Sequence, residues 1–426
     1  MLIEKNKDKI KILMISDMPL AVSGVGLQAK YLASGLLKTG RYQILSLGAA
    51  IKHNAYNPLR VEEFGGDWII LPIDGYGNPQ MLRELLDTEK PDVLFLFTDP
   101  RFYMWLFEMV DEVVDRGIPI VYNTIWDNLP TPTFNKFIYD SCNFLGCISK
   151  LTYQIMKDLG LEYKAEYIPH AVPKDIFKIL DEKTVQEERI KLFGKEKENS
   201  FIVFSSGRSA RRKKTNDIIF AFKQFSEQIE DQNGEKCFLV VNSDPLDPEG
   251  SDLLQLSQML KLKPSQITFC KDRIEFDKLA LLYNIADVTL TPSAEEGWGL
   301  VSHESLQCGT PVISTKTGGL QDQNIDPDTG EVYGASLEPA AKLLVGSLQI
   351  PWIWSDHVSH QQIVDALKNL YFMTRQQRKD IGRRASKSML KRFDMNHMIC
   401  QWDMAITKCV DDFRNGNLRR IRIKSF

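Results

Sequence analysis

Short apolar runs rich in β-branched residues recur along this chain, each followed by a longer stretch of helical spacing, and that alternation constrains the fold more than any other feature. It is the sequence form of repeated βαβ units. In the first half, strands are expected at 10–16, 43–47, 68–72, 93–97, 118–123, 144–149 and 166–169, with amphipathic helices at 28–38, 79–87 and 103–116 between them. Several runs are apolar at consecutive positions, so both faces are buried, which implies parallel sheets covered by helices on each side. The alternation pauses at 178–200, a charged stretch read as a solvated helix joining two domains, and resumes with strands at 201–205, 237–242, 266–269, 288–291 and 311–314. Helices are expected at 217–229 and 276–283, and 361–410 reads as wholly helical. The fold class is therefore α/β, two doubly wound Rossmann-like domains facing a central cleft, with a helical C-terminus. The expected divisions are 1–178, a linker 179–200, 201–395, and a helix and basic tail over 396–426.

A chain of 426 residues exceeds what one core usually organises, which supports two domains. A net charge of −3 excludes a surface built throughout for nucleic acid, although 208–214 and 419–424 are basic patches. The tail alternates basic and apolar residues, a pattern for weak contact with an anionic membrane or nucleic acid that competes with a solvated terminus. Seven scattered cysteines lack any C-x-x-C spacing and read as reduced core residues. Neither a signal-peptide pattern nor a run near the roughly 20 apolar residues of a spanning helix is present, so the expected location is cytoplasmic, or peripheral at a membrane.

The segment SAEEGWGLVSHESLQCGTPVIST, residues 293–315, carries the most chemical information. It follows an expected strand, and Gly297 and Gly299 let backbone approach a ligand before a helix begins near Leu300. Free N–H groups and the helix dipole make that mouth a seat for a diphosphate. Glu296 lies before the glycines and Glu304 about one turn into the helix, so the two carboxylates reach different parts of one ligand, as a nucleotide sugar demands. Against this stands a loop carboxylate in water and a surface salt bridge. Farther upstream, GRSARRKK at 207–214 offers cations where a leaving diphosphate gains charge, or simply a solvated basic turn.

The string EGWGLVSHE resembles the E-x7-E signature of the retaining GT-B glycosyltransferases of family four, and CGTPVIST and the order of the other landmarks match as well. The resemblance implies that Glu304 holds the donor ribose, that Glu296 contacts hydroxyls of the donor sugar, and that Arg208 and Lys213 grip the pyrophosphate. SGVG at 23–26, with Gly24 and Gly26, is similar to the family's glycine loop, with an ordinary tight turn as the competing reading. IPHAVPKDIF at 168–177 resembles the hinge element, with Ala171 where glycine is usual, and Lys214 stands where the basic element ends in glycine. TGGLQD resembles the turn that lines the donor sugar, through Gly318 and Gly319. The first-domain loop 123–133 lacks the family's histidine, and Asp127 is expected in its place, orienting the acceptor hydroxyl or acting as a base, against the competing reading of a helix cap or turn former. His170 and His303 are read as hinge and packing residues.

The resulting expectation is transfer of a hexose with retention, catalysed through Arg208, Lys213, Glu296 and Asp127, the donor held by Gly24, Gly26, Gly297, Trp298, Gly299, Leu300, Glu304, Gly318 and Gly319. The donor is UDP-glucose or GDP-mannose; the acceptor is a glycan, a lipid-linked precursor, a protein or a modified nucleic-acid base. No cofactor or metal is expected, the pair Asp326/Asp328 being read as a turn. The rivals are a nucleotide-sugar epimerase of the same fold and a non-catalytic nucleotide-sugar-binding subunit.

Overall fold

The computed structural model describes residues 1–271 and 274–417. Chain contacts divide it into two compact units, one of residues 1–170, 348–350 and the C-terminal segment from Met395, the other of 171–347 and 351–394.

The first unit is an eight-stranded sheet in the order β3-β4-β2-β1-β5-β6-β7-β8. Its strands are β1 (Ile10–Asp17), β2 (Tyr42–Ala49), β3 (Leu59–Arg60), β4 (Trp68–Pro72), β5 (Val93–Phe97), β6 (Ile120–Thr124), β7 (Phe144–Cys147) and β8 (Ala165–Tyr167). β1 pairs in parallel with β2 on one side and β5 on the other. Every residue of β2 is buried and β1 is nearly so, as expected of central strands covered on both faces. The helix expected at 103–116 is broken into the short pieces Met104–Phe107 and Val110–Asp115. The helix Met395–Arg414 seals this unit: Trp402 lies 5.1 Å from Phe95 in an edge-on contact, and Tyr42 donates to Asp403 at 2.6 Å. Gly146 makes room for that indole, because a Cβ there would stand 2.1 Å from it.

The second unit is a six-stranded sheet in the order β11-β10-β9-β12-β13-β14. The strands are β9 (Phe201–Ser206), β10 (Cys237–Asn242), β11 (Ile267–Cys270), β12 (Val288–Thr291), β13 (Val312–Thr315) and β14 (Gly334–Leu337), and every pairing is parallel. Alternate residues of β9 enter two different cores, Phe201 and Val203 on one face, Ile202 and Phe204 on the other. A separate hairpin, β15 (Ala341–Val345) with β16 (Ile353–His357), was not expected from the sequence. The stretch 361–410 is three helices, with capping boxes at Ser359 and Thr374 marking two of the starts.

Two boundaries differ from expectation. The second unit begins at Ala171, not after 178, and the segment 179–200 is part of its body rather than a linker. The helix Glu182–Phe193 buries Val185 and Arg189, and Arg189 donates to the carbonyls of Lys197, Ser200 and Ile285 while facing Asp287 at 3.4 Å. A single buried arginine in a charged stretch carries no periodicity, so composition read it as solvated. Ala171 is fully buried and has no positive φ, so the backbone there does not require glycine. All seven cysteines are free, and among the described residues no helix is long and apolar enough to cross a membrane. The tail 419–424 lies outside the described residues.

Candidate functional site

In the second unit the strand order reverses between β9 and β12, and such a switch point opens a crevice at the carboxyl ends of the strands. Two loops leave those ends, 207–214 and 292–299, and hydrogen bonds lace them together. Ala294 N–H donates to the Arg212 carbonyl at 2.8 Å, and Arg212 Nη1 donates to the Glu295 carbonyl at 2.9 Å. Each loop feeds a helix, Thr215–Gln228 and Leu300–Gln307, and neither helix has a side-chain cap at its start. Their first N–H groups therefore lack intrahelical acceptors at one place. Lys214, where the family pattern has glycine, adopts φ 58°, ψ 34°, the left-handed conformation glycine would take without strain.

The glycines have identifiable work. Gly299, at φ 91°, starts the helix Leu300–Gln307, and a Cβ there would meet Leu320 at 2.4 Å. Gly318 and Gly319 press backbone on backbone against the other loop: their Cβ atoms would fall 1.9 Å from the Glu296 carbonyl and 2.5 Å from the Gly297 carbonyl, and Gly319 N–H donates to Glu296 O at 3.0 Å. Trp298, placed among the donor-binding residues, has an indole that is 3% exposed, donates to His303 Nδ1 at 3.1 Å and packs 4.9 Å from Phe393. A large ring with one N–H gains most where its area is buried and its donor satisfied, so it anchors the loop from below. Leu300 likewise turns its side chain to the core, leaving only its backbone at the helix mouth.

The charges divide between the loops. Glu296 is buried, ion-paired with Lys213, and 3.8 Å from Arg212. Burial alone would raise its carboxyl, but Lys213 and Arg212 outweigh that and hold it below the usual carboxylate range. Arg208 is held elsewhere, on Asp247 at 2.8 Å and Glu249 at 3.3 Å. The two predicted cations thus lie on one loop, Lys213 against Glu296 and Arg208 against Asp247 and Glu249. Glu304 is 5% exposed and accepts from the Tyr283 hydroxyl at 2.8 Å. Burial without a countercharge pushes its carboxyl up to about 8.

In the first unit, the other predicted loop opens the helix Gly24–Lys38. Ser23 Oγ caps it by accepting from Gly26 N–H at 3.0 Å and donates to Asp17 at 2.6 Å; Tyr76 donates to the other Asp17 oxygen at 2.7 Å. Gly26 passes so close to the Met18 carbonyl that a Cβ would stand 2.5 Å from it, whereas Gly24 is exposed. Asp127 is half-buried after β6, beside Trp126, whose indole donates to the Asn128 carbonyl at 2.8 Å. Asp326 accepts from Tyr333 and Ser388 and from the backbone of Asp328 and Thr329, the turn role expected of it.

Three residues of these sites escaped the sequence reading. Arg212 was lost among neighbouring cations, and Asp17 looked like the end of a strand. Tyr283 left a signal: a phenol in the apolar helix FDKLALLYNI needs a partner, and Glu304 is that partner.

Residues 186–343 match the family described as glycosyl transferases group 1. Among curated proteins, the D-inositol 3-phosphate glycosyltransferase of Thermomonospora curvata is 48% identical over 52 residues, 12% of either chain. The N-acetyl-alpha-D-glucosaminyl L-malate synthase of Bacillus anthracis is 24% identical over 223 residues, 52% of this chain and 49% of that one. The matched parts thus span from about an eighth to about half the length of these relatives. Among solved structures, Anabaena HepE in complex with UDP and glucose matches with a TM-score of 0.68 and 14% identity over 94% of this chain and 100% of that one. The sucrose-phosphate synthase of Thermosynechococcus elongatus matches with a TM-score of 0.71 and 16% identity, covering 94% of this chain and 99% of that one. Its two Rossmann-like units thus have the GT-B fold, and the stretch that bears the uncapped helix mouth and both carboxylates lies inside the glycosyl transferases group 1 match.

Proposed function

We propose that this protein transfers a hexose, with retention, from a nucleotide diphosphate sugar to an acceptor hydroxyl. The observation that carries the reading is the second unit's mouth: two uncapped helix starts, with Lys213 and Arg212 beside the buried Glu296. The diphosphate takes the free N–H groups, with Lys213 and Arg208 as countercharges; Glu304 takes the ribose hydroxyls and Glu296 those of the sugar. As the bond from the anomeric carbon to the diphosphate breaks, charge collects on the leaving oxygen beside these cations, which stabilise the transition state more than the ground state. The acceptor oxygen bonds to the same face of that carbon, and its proton passes to the departing phosphate, so no metal or cofactor is required. Asp127 orients the acceptor hydroxyl.

UDP-glucose is the preferred donor, because HepE was solved with UDP-glucose and a trehalose-6-phosphate protein of E. coli with UDP-2-fluoro glucose. GDP-mannose is the competitor, and the acceptor is a glycan, lipid-linked precursor, protein or modified base. The test is thermal shift against a panel of nucleotide sugars, then incubation of the stabilising donor with acceptors and assignment of the product anomer by NMR. A ligand at 100 times its Kd adds about 2.7 kcal/mol, a readable shift. Stabilisation by one donor and a product of unchanged anomeric configuration are expected. If no nucleotide sugar shifts the transition, the assignment fails; conversion of donor alone would mean an epimerase, and binding without turnover a silent subunit.

A further inference from the structure

The carboxyl ends of β9 and β12 are not the only charged hollow in the second unit. At the other end of the helix Leu300–Gln307, where Cys308–Gly309–Thr310 leaves it, lies a cavity of about 310 Å³. Eight residues at 1.5 Å each put it about 12 Å from the helix mouth. Its wall includes one row of the helix Arg375–Arg392: Arg375, Lys379 and Arg383, four residues apart and therefore stacked on one face. Arg189 and Arg378 add two more cations from behind.

Among the described residues, two carboxylates line the same space, Glu182 and Asp287, against five cations, an excess of three positive charges, with Asp380 outside the lining paired to Arg383 at 2.7 Å. Asp287 is already spent on both buried arginines, at 2.7 Å from Arg378 and 3.4 Å from Arg189, and Glu182 is engaged by Lys379. Arg375 makes no ion pair among the described residues, its guanidinium donating only to the neutral Gln186 amide at 3.0 Å. Crowding of this kind costs energy. Arg189 feels Arg375 and Arg378 as like charges, and burial chiefly, with that repulsion added, holds its guanidinium below its usual value. Apolar side chains share the lining: Ile179, Leu180, Val185 and Pro311.

We propose that this cavity binds a small phosphomonoester, the phosphate on Arg375, Lys379 and Arg383 and the organic body against the apolar side chains. A dianion cancels most of the excess charge, and guanidinium forks match phosphate oxygens in geometry. A hollow of this volume is wider than a bare phosphate needs, which is why an ester is favoured over the inorganic ion. The site is distinct from the mouth assigned to the nucleotide sugar and does not depend on that assignment.

Isothermal titration of the full chain with phenyl phosphate, inorganic phosphate and phenol tests it. Saturable binding of phenyl phosphate is expected, tighter than inorganic phosphate and absent for phenol. Arg375→Glu combined with Arg383→Glu should weaken it at least tenfold, Arg375→Gln less, while Lys213→Ala, at the other mouth, leaves it unchanged. Near-UV circular dichroism confirms that each variant is folded; both reversed side chains are partly exposed, and Arg375→Gln is the milder control. No saturable binding, binding that survives the charge reversal, or binding lost in Lys213→Ala would each overturn the proposal.

Discussion

The strand-to-helix turns of the two units share a plan and differ in electrostatics. In the first unit, the helix Gly24–Lys38 is closed by Ser23, and Ser23 and Tyr76 are held on the Asp17 carboxylate. In the second, two helices begin without a cap and five cations, Arg208, Arg211, Arg212, Lys213 and Lys214, lie in the loop before one of them. A capped helix beside a carboxylate repels an anion and suits hydroxyl groups; an uncapped pair beside cations does the reverse. The two turns thus offer opposite charges at equivalent places, and on the proposed reading that difference is what favours the second unit for the diphosphate.

Removing the second unit's charge should have the largest effect. Lys213→Ala is expected to lower kcat/KM for transfer by 10²- to 10³-fold, roughly the 2.7–4 kcal/mol of a lost transition-state donor. Asp17→Asn should leave nucleotide affinity within about twofold and raise the KM for acceptor instead. Steady-state kinetics with donor and acceptor varied separately checks both. If Asp17→Asn weakened the nucleotide as much as Lys213→Ala, the contrast between the units would dissolve.

Glu304 sharpens the same contrast through pH. Its folded-state pKa of about 8 lies above the ordinary carboxyl value of 4.5, so the folded protein holds a proton that the unfolded chain releases. The contribution is intact below about pH 4.5, declines as pH rises, and is fully lost above about pH 8, at a cost on the order of a few kcal/mol. Glu304→Gln carries no charge to bury. Its Tm should therefore exceed that of the parent above pH 8 and converge with it near pH 5, while sugar transfer is lost. Parallel Tm profiles for the two proteins would show that this carboxyl is not strained by burial.

Much of the architecture is legible in the amino-acid sequence. β4, β5, β10 and β12 fall where the apolar runs placed them, because strands buried on both faces leave an uninterrupted signal. The order of Glu296, the glycines and Glu304 was legible because strand, loop and helix follow one another locally. What was illegible depends on partners distant in sequence. Arg189 reads as a surface residue until Asp287, 98 positions away, is brought beside it. That His303 and Phe393 enclose the Trp298 ring was not legible either. The hairpin of β15 and β16 was missed because its first strand is exposed on both faces and shows no alternation.

The smallest prediction sets the two turns against each other directly. Ser23 completes a cap, so Ser23→Ala should cost the first unit about 1 kcal/mol, the usual value of a lost N-cap. Lys214 is a non-glycine residue at φ 58°, a conformation that costs roughly 1–2 kcal/mol for a side chain with a Cβ. Lys214→Gly removes that strain but gives the unfolded chain more freedom, worth about 0.4–1 kcal/mol in the other direction. The net expectation is a gain of up to about 1 kcal/mol, opposite in sign to the first substitution, read as denaturation midpoints in urea. The lysine is then retained against a stability gradient, which makes sense only if its ammonium adds to the positive field at the mouth. Nucleotide affinity in Lys214→Gly should accordingly fall a few-fold and the salt dependence of binding flatten; unchanged affinity would reduce this lysine to a strained turn.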